Sequence, residues 1–395
     1  MKRRHFLRLG IVGTAFSSIG LPESILASNK NKIKSLSMKT PICDLLNIEY
    51  PIIQSGMFDV AGPELVAAVC NAGGLGILSA TMLLPEVLLE RIKKIRQLTS
   101  RPFGVNLLLQ QDLFPPRDYE ISDELNLKVH DTLNEFRRQL RIPENSAKPE
   151  KVPPLIQSAL EIILQEKIPV FSVGLGNPSK EIVAQCHKRG MKVMVMIATV
   201  EDAITVSKNG VDIIVAQGSE AGGHRSTWEK KISKEYASIG TLSLTSAVAK
   251  AVNVPVVAAG GIVNGKGLKA ALSIGAQGVL MGTRFIATTE SIAPESYKRK
   301  VLEGSSDNTT VTDSFTGMYA RVIRNKYTER YHERNTPVFP PGRQFMANGD
   351  IIKAAKEQNN PEFYTLYAGQ GISEIREMKS AYDVVKEIIA EAEAK

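Results

Sequence analysis

Residues 254–284 have the sequence VPVVAAGGIVNGKGLKAALSIGAQGVLMGTR, in which two short apolar runs flank a segment with helical periodicity. The runs Val256–Ala259 and Gly278–Met281 are predicted to be buried strands, and Gly265–Ile274 is predicted to be the helix between them. Strand, helix and strand in succession form the repeating unit of a parallel sheet. The rest of the chain can therefore be searched for further copies of this unit.

The same unit recurs along the chain until eight strands are counted. The predicted strands are Pro51–Gln54, Gly76–Ser79, Phe103–Asn106, Val170–Val173, Lys192–Ile197, Ile213–Gln217, Val256–Ala259 and Gly278–Met281. The predicted helices are Pro63–Ala72, Pro85–Leu98, a segment around Pro154–Leu164, Ser179–Lys188, Val200–Asn209, Leu244–Ala251, Gly265–Ile274 and a last one near Glu295–Leu302. Eight units in about 250 residues favour an α/β fold of the (β/α)8 TIM-barrel type, because doubly wound sheets usually have fewer strands.

Two connections and a tail exceed the size of a compact unit. Residues Gln110–Lys151 follow the third strand and contain a predicted helix at Asp123–Leu140, and a second long connection follows the sixth strand. Beyond about residue 310 the sequence is irregular, with predicted helices at Gly349–Glu357 and Ile372–Ala394. We expect one folded body over residues 28–395, in which the part from about 310 to 395 is a C-terminal helical cap on the barrel.

Composition excludes several classes of protein. The 395 residues are 43% hydrophobic and 23% charged, which is ordinary for a globular protein and excludes disorder. The net charge of +8 first suggests a nucleic-acid or membrane partner, but residues 1–27 account for +3 of it. With no basic stripe among aromatics, no nucleic-acid partner is expected. Cys43, Cys70 and Cys186 form no CxxC pair, so we expect no metal site and buried thiols.

The N-terminus has the pattern of a targeting segment. Arg3-Arg4-His5-Phe6-Leu7-Arg8 resembles the twin-arginine export signal, and a modestly apolar run follows it. We therefore expect residues 1–27 to be a signal recognised by the twin-arginine translocase, and a periplasmic protein that is not membrane-bound once exported. Two alternatives stay open: a cytoplasmic protein with a basic arm, and an uncleaved leader, because Ile25-Leu26-Ala27 matches the usual cleavage pattern poorly.

Glycines follow the last two predicted strands. Gly260-Gly261 come after the seventh strand and Gly282-Thr283 after the eighth, while a helix begins near Asn264. Glycine lets the backbone approach a ligand closely, and a helix N-terminus favours negative charge. In this fold the loops after strands seven and eight form a recurrent phosphate site. The sequence therefore predicts that these loops bind a phosphate.

One histidine stands at the predicted mouth of the barrel. His224 ends a glycine-containing loop, Glu220–His224, after the sixth strand, where a general base could act on a substrate. By contrast, His130 and His187 are expected on helix surfaces. Arg225 follows directly, as a helper of the histidine or, with more weight, as a surface charge.

Three amide side chains end strands at the same predicted mouth: Gln54, Asn106 and Gln217. Neutral amides can pair with the hydrogen-bonding edge of a flavin ring or of another planar heterocycle. The chain has no carboxylate pair of the glycosidase type, no nucleophile elbow and no P-loop. These residues therefore favour a heterocyclic cofactor with a phosphate.

At these residues the sequence resembles the nitronate monooxygenase family, formerly called nitropropane dioxygenases, FMN-dependent barrels related to flavin-containing enoyl-acyl-carrier-protein reductases. The likeness covers roughly Pro41 to Ile389. The motifs that carry it are Pro51-Ile52-Ile53-Gln54-Ser55-Gly56-Met57, Asn71-Ala72-Gly73-Gly74-Leu75-Gly76, Gly104-Val105-Asn106-Leu107, Gln217-Gly218-Ser219-Glu220-Ala221-Gly222-Gly223-His224, Ala258-Ala259-Gly260-Gly261-Ile262, Met281-Gly282-Thr283 and Ala368-Gly369-Gln370-Gly371.

The resemblance implies FMN as the cofactor and His224 as the catalytic residue, near the flavin N5. With the amides and glycines above, the expected cofactor-binding residues are Gln54, Gly56, Met57, Asn106, Gln217, Gly222, Gly223, Gly260, Gly261, Leu280, Met281, Gly282 and Thr283. The implied reaction is oxidation of an alkyl nitronate, such as propionate 3-nitronate, or of a nitroalkane, by O₂ to a carbonyl product and nitrite. The alternatives are an NAD(P)H-dependent reductase of enoyl thioesters or quinones and a non-catalytic flavin-binding protein. We expect a monomer or a homodimer.

Overall fold

The structure is a computed structural model that describes residues 38–226 and 238–394. Contacts divide the chain into two units, Met1–Ser37 and Met38–Lys395, and every described residue belongs to the second. The predicted signal at residues 1–27 lies outside the described residues, as does the part of the sixth-strand connection at residues 227–237.

Eight parallel strands close into a barrel. Within the described residues the strands are β1 (Ile52–Gln54), β2 (Leu75–Ser79), β3 (Gly104–Leu109), β4 (Val170–Gly176), β5 (Lys192–Ile197), β6 (Ile213–Gln217), β7 (Gly223–His224), β8 (Val256–Ala259), β9 (Gly278–Met281), β10 (Thr309–Thr312) and β11 (Ala320–Ile323). The barrel order is β1-β2-β3-β4-β5-β6-β8-β9, and β1 closes it by pairing with β9, with Ile53 opposite Leu280. The predicted (β/α)8 barrel is confirmed.

The eight helices predicted to follow the barrel strands lie close to their predicted positions, whereas α1, α10, α12 and α13 were not predicted. Within the described residues they are α1 (Pro41–Leu46), α2 (Pro63–Asn71), α3 (Pro85–Leu98), α4 (Asp123–Leu140), α5 (Leu155–Gln165), α6 (Lys180–His187), α7 (Val200–Ser207), α8 (Thr241–Ala251), α9 (Gly265–Ser273), α10 (Thr283–Ile286), α11 (Glu295–Leu302), α12 (Lys326–Glu333), α13 (Arg343–Ala347), α14 (Gly349–Glu357) and α15 (Ala381–Glu393). Short 3₁₀ helices occupy Ser306–Asn308, Pro361–Phe363 and Gln370–Glu374. Local signals explain the agreement, since Ser179 and Thr199 cap α6 and α7 through their hydroxyl oxygens.

Alternation along the strands divides the core into an inner and an outer part. Ile53, Val257 and Leu280 belong to one buried cluster inside the barrel, whereas Val105 and Leu107 belong to the cluster that packs under the helices. Successive residues of a strand face opposite sides, and strands of a parallel barrel are buried on both. The residues of a strand that point into the barrel therefore determine which side chains at its end face the mouth.

The C-terminal part packs both on the helices around the barrel and on the insertion after β3. α15 packs against α2 and α9 through apolar residues such as Val384 and Ile388. α12 and α14 pack against α4, where Phe136 and Tyr327 lie in one aromatic cluster. Arg137 of α4 is fully buried and makes a two-pronged ion pair with Asp350 of α14. The insertion after β3 and the C-terminal helices are thus packed together.

Two expectations about this part are wrong. The last helix begins at Ala381 and not at Ile372, because Ser380 caps it and residues 370–374 instead form a 3₁₀ turn beside the Gly261 backbone. His130, expected on a helix surface, is 2% exposed, since α12 and α14 cover α4 and the ring lies against Phe339.

The three cysteines are free thiols buried in the structure, as predicted. Among residues 38–226 and 238–394, no helix is both long and apolar enough to span a membrane. The described residues also include no group of three or more metal-ligating side chains placed to share an ion.

Candidate active site

A cavity opens at the C-terminal end of the barrel strands, with about 1600 Å³ of empty space that is partly open to solvent. A cavity at the C-terminal end of the strands is the usual place for the cofactor and the substrate of a barrel enzyme. The predicted site residues that line it are Gly56, Met57, Asn106, Gln217, Gly222, Gly223, His224, Gly260, Gly261, Leu280, Met281, Gly282 and Thr283. The structure therefore brings together residues that are more than 200 positions apart in the sequence.

Gln54 is the predicted site residue that does not line the cavity. Its Nε2 donates to Ile77 O at 3.2 Å and its Oε1 accepts from Ile77 N at 3.2 Å, so the amide is paired with the backbone of β2. Ile53 faces the barrel interior, and the next residue must face the other way. The expectation that Gln54 points to the mouth is wrong, and Ser55 lines the cavity in its place.

Asn106 lies within β3 and lines the cavity. Its Nδ2 donates to Ser172 O and Oγ on β4, at 3.2 and 3.1 Å. No described residue donates a hydrogen bond to its Oδ1. An amide oriented in this way can accept a hydrogen bond from the edge of a planar ring in the cavity.

Gln217 holds the loop that carries His224. Its Nε2 donates to His224 O at 2.8 Å, and its Oε1 accepts from Ser226 N at 2.8 Å. Ser226 is fully buried, and its hydroxyl lies 2.8 Å from Gly174 O and 2.7 Å from Met196 O, at the ends of β4 and β5. Both halves of the Gln217 amide therefore tie this loop to the barrel.

A small antiparallel sheet from the C-terminal part also positions His224. β7 pairs with β11, with His224 opposite Ala320 and Gly223 opposite Arg321, and β10 completes the sheet. Arg225 N continues the pairing by donating to Tyr319 O at 2.8 Å. The backbone of the predicted catalytic residue is thus fixed by β11 on one side and by Gln217 on the other.

The His224 ring lies between polar and aromatic neighbours. Its Nε2 is 3.0 Å from Thr316 Oγ1, and its centroid is 5.4 Å from that of Tyr367. Burial and, to a smaller extent, the charge of the nearby Arg225 lower the pKa of His224 to about 4. The imidazole is therefore neutral at physiological pH.

Arg225 is buried and not a surface charge, which corrects the favoured expectation. It is 5% exposed, and its guanidinium donates to Gly218 O at 2.8 Å and to Ala221 O at 2.7 Å. Its Nε has no hydrogen-bond partner among the described residues. Burial lowers the pKa of Arg225 to about 9, so a cation remains behind the His224 loop at neutral pH.

The two glycine loops line the cavity. Gly260 and Gly261 have φ of 117° and 70°, a left-handed region that side chains rarely adopt. Thr283 Oγ1 accepts from Gly369 N at 2.9 Å, which leaves its own proton for another acceptor. A Cβ added at Gly223 would meet no atom within 4 Å. These features are compatible with a flavin that carries a phosphate.

Apart from His224, the described lining of the cavity is free of acidic and basic side chains. None of the described residues that line it is Asp, Glu, Lys or Arg. The described lining combines polar side chains, such as Asn106 and Ser172 on β3 and β4, with apolar ones, such as Leu113, Val152 and Phe345.

Several lining residues escaped the sequence reasoning, above all Thr316 and Tyr367. Tyr367 directly precedes the Ala368-Gly369-Gln370-Gly371 motif, so extending that motif by one residue would have found it. Thr316 precedes Gly317, whose φ of 74° marks a turn, but no local pattern connects it with a histidine 92 positions earlier.

Comparison with known proteins decides the family. A sequence model described as "Nitronate monooxygenase" matches residues 39–391. The chain belongs to the nitronate monooxygenase family. It is accordingly a flavin-dependent oxidoreductase, as the resemblance of its motifs predicts.

Individual relatives agree with this family. The chain is 33% identical over 361 residues to a probable nitronate monooxygenase of Staphylococcus saprophyticus, covering 90% of this chain and 98% of the relative. It is 38% identical over 330 residues to one of Staphylococcus haemolyticus, with coverage of 82% and 89%. Among solved structures, nitroalkane oxidase from Streptomyces ansochromogenes is similar with a TM-score of 0.79 and 32% identity, covering 88% of this chain and 97% of that one. FabK from Thermotoga maritima has a TM-score of 0.69 and 30% identity, with coverage of 89% and 96%.

Proposed function

We propose that this nitronate monooxygenase family member binds FMN and oxidises small alkyl nitronates with O₂ to a carbonyl product and nitrite. The observation that carries the proposal is a neutral histidine in a cavity whose described lining contains no Asp, Glu, Lys or Arg, beside glycine loops suited to a phosphate. Two nitronate anions and one O₂ balance two carbonyl products and two nitrite ions, so the reaction needs no further reductant.

The bound flavin would supply the electron-accepting chemistry, and His224 would hold the substrate. Thr316 has one hydroxyl proton, and His224 Nε2, 3.0 Å away, is nearer than Met318 O at 3.2 Å. When Thr316 donates to Nε2, the neutral imidazole carries its proton on Nδ1. Nδ1 makes no hydrogen bond with a described residue, so it can donate to the anionic nitro group.

The low pKa of His224 distinguishes between two possible substrates. An imidazole with a pKa of about 4 is a weak base, because burial opposes its protonation. Such a group removes a proton from a neutral nitroalkane inefficiently, but it can hold an anion by donating a hydrogen bond. The proposed substrate is therefore the preformed nitronate, and the nitroalkane should be turned over much more slowly.

The test combines absorbance and product analysis on the purified protein. The proposal expects an oxidised FMN spectrum that bleaches on anaerobic addition of butyl-1-nitronate, and nitrite release in air. His224→Gln, which keeps a polar side chain, should retain FMN but lose turnover by about 100-fold or more. Absence of nitrite from FMN-loaded protein with every nitronate tried would refute the proposal.

The similarity to FabK provides the second candidate, an NAD(P)H-dependent FMN reductase. The same anaerobic cuvette separates the two functions. Bleaching by NADH or NADPH that is faster than bleaching by nitronate would favour the reductase. Turnover no faster than that of free FMN with every substrate, and unchanged in His224→Gln, would favour a non-catalytic flavin-binding protein.

We also propose that the protein is exported by the twin-arginine route to the periplasm. The support is the motif Arg3-Arg4-His5-Phe6-Leu7-Arg8. Replacing both arginines, Arg3→Lys and Arg4→Lys, should move the protein from the periplasmic to the cytoplasmic fraction. A wild-type protein found in the cytoplasm would support the cytoplasmic alternative.

A further inference from the structure

Tyr367 lines the cavity and is a direct neighbour of His224. The centroids of the two rings lie 5.4 Å apart, and the ring planes are tilted by 49°. The Thr316 hydroxyl approaches the same imidazole at Nε2, at 3.0 Å. The histidine therefore has a hydroxyl neighbour at Nε2 and a phenol ring beside it, and both neighbours belong to the cavity lining.

One strand of the small sheet brings the two rings together. In β11, Ala320 stands opposite His224, and two residues later Val322 forms an antiparallel bridge with Tyr367. Residues i and i+2 of a strand face the same side, and residues directly opposite each other in an antiparallel pair share a side as well. The side chains of His224 and Tyr367 must therefore project to the same side of β11, although they are distant in the sequence.

The backbone on which Tyr367 stands is held by neighbouring elements. Ile323 N of β11 donates to Leu366 O at 2.8 Å, and the Tyr297 hydroxyl of α11 donates to Tyr367 O. These bonds use only the backbone of this segment, so they fix the position of the Tyr367 ring without occupying its hydroxyl. Among residues 38–226 and 238–394, no group makes a hydrogen bond with that hydroxyl.

The Tyr367 hydroxyl is a donor at physiological pH. Burial and, to a smaller extent, the charge of Asp59 raise the pKa of the Tyr367 phenol above its ordinary value, and Asp59 is itself paired with Lys356. A protonated phenol donates one hydrogen bond, and a bond to an ionised acceptor is stronger than one to a neutral acceptor. A nitronate presents two oxygens that share one negative charge, and the imidazole of His224 can serve only one of them through Nδ1.

We infer that Tyr367 is a second substrate-binding residue, whose hydroxyl donates to one oxygen of the nitro group while His224 Nδ1 donates to the other. The inference rests on the proposed function. The two oxygens of a nitro group lie side by side in one plane, so donors on rings 5.4 Å apart can each bind one of them. Two donors in fixed positions hold the anion in one orientation, which a single donor does not.

Tyr367→Phe isolates the hydroxyl, because the ring beside His224 remains. Anaerobic mixing of FMN-loaded protein with butyl-1-nitronate gives the dissociation constant of the nitronate from the concentration dependence of flavin bleaching. We expect this constant to rise at least about tenfold, since a hydrogen bond to a charged group is worth that much. The FMN affinity and the melting temperature should stay at wild-type values. An unchanged nitronate constant, with or without a loss of FMN affinity, would overturn the inference.

A neutral ligand tests whether the hydroxyl responds to charge. 1-Nitrobutane has the same carbon chain as butyl-1-nitronate and a nitro group without the charge, and its affinity is measured as inhibition of flavin bleaching. Tyr367→Phe should weaken its binding by less than about threefold, because hydrogen bonds to neutral acceptors contribute less. An equal loss for the two ligands would indicate a change in the shape of the cavity and would overturn the inference.

Tyr364→Phe is the matched control. Tyr364 is fully buried in the same segment, its hydroxyl lies 2.7 Å from Ser296 Oγ, and it is not among the described residues that line the cavity. The exchange should lower the melting temperature, because it removes a buried hydrogen bond, and it should leave the dissociation constant of butyl-1-nitronate unchanged. A loss of nitronate affinity as large as that in Tyr367→Phe would contradict a specific role for Tyr367.

The failure of this inference differs from the failure of the proposed function. If FMN-loaded wild-type protein is not bleached by butyl-1-nitronate and releases no nitrite from any nitronate, the proposed function fails. If the wild type does both, and Tyr367→Phe binds the nitronate equally tightly, the function stands and the inference fails.

Discussion

Replacing Gln217 by leucine should detach the loop that carries His224 from the barrel. The amide makes two hydrogen bonds of 2.8 Å, to His224 O and from Ser226 N, and leucine can make neither. Each lost bond costs about 1 kcal/mol, and a buried group left unpaired costs about 1–3 kcal/mol. Ser226 is fully buried, so its N–H bears that cost. The expected decrease in the free energy of unfolding is about 3 kcal/mol.

This decrease should be visible in thermal unfolding. A folded unit of Met38–Lys395 has an unfolding entropy of roughly 0.75 kcal/mol per kelvin, so 3 kcal/mol corresponds to a melting temperature lower by about 4 °C. Because Gln217 also lines the cavity, the melting temperature is measured on cofactor-free protein. In FMN-saturated protein, kcat for an alkyl nitronate should fall by about 100-fold, since His224 would be misplaced by about 1 Å.

The matched control is Gln157→Leu. Gln157 is exposed on α5, and its Nε2 donates at 2.8 Å to Glu161 Oε1 on the same helix face. The same exchange there should change stability by no more than about 0.5 kcal/mol. If Gln217→Leu melts within 1 °C of the wild type and keeps its kcat, the amide does not hold the loop, and the reasoning is refuted.

Three further outcomes follow from the geometry. An NMR titration should place the pKa of His224 near 4. Because His224 in the unfolded chain takes up its proton near the ordinary histidine pKa of 6.5, the free energy of unfolding should decline as the pH falls from about 6.5 to about 4. His224→Gln should lack this component. Gly222→Ala would place a Cβ 2.6 Å from Ala368 C and should lower both the melting temperature and the amount of FMN retained. Gly190→Ala meets no atom within 4 Å but has a φ of 75°, so it should lower only the melting temperature. Arg137→Leu should cost about 3 kcal/mol in urea unfolding, because it removes a buried cation that joins α4 to α14, and an unchanged urea midpoint would contradict that role.

The barrel was predictable because its signals are local. Each strand is a short apolar run and each helix has its own period and caps, so the eight units could be counted without knowing their partners. The additional strands β7, β10 and β11 escaped prediction, since a two-residue strand such as Gly223–His224 exists only through its pairing with β11. The extended final helix was wrong for a related reason, because residues 370–374 are shaped by the Gly261 backbone beside them.

Parts of the site were likewise within reach of the sequence. The glycine loops directly follow strands, and His224 stands in the loop after β6. Strand ends in a closed parallel barrel must meet at one mouth. Which residues of a strand face the inside of the barrel is harder to predict, as Gln54 shows. A three-residue strand that is buried on both faces has no polar–apolar alternation from which to determine the inward side.

The sequence by itself determined the barrel, the family and most of the residues around the cavity, because each of these depends on neighbours in the chain. Only the tertiary structure decided that Thr316 pairs with His224, that Arg225 is buried behind the loop, and that the cavity has no charged residue among its described lining. Burial and pairing depend on side chains brought together from distant positions, and those contacts lower the pKa of His224.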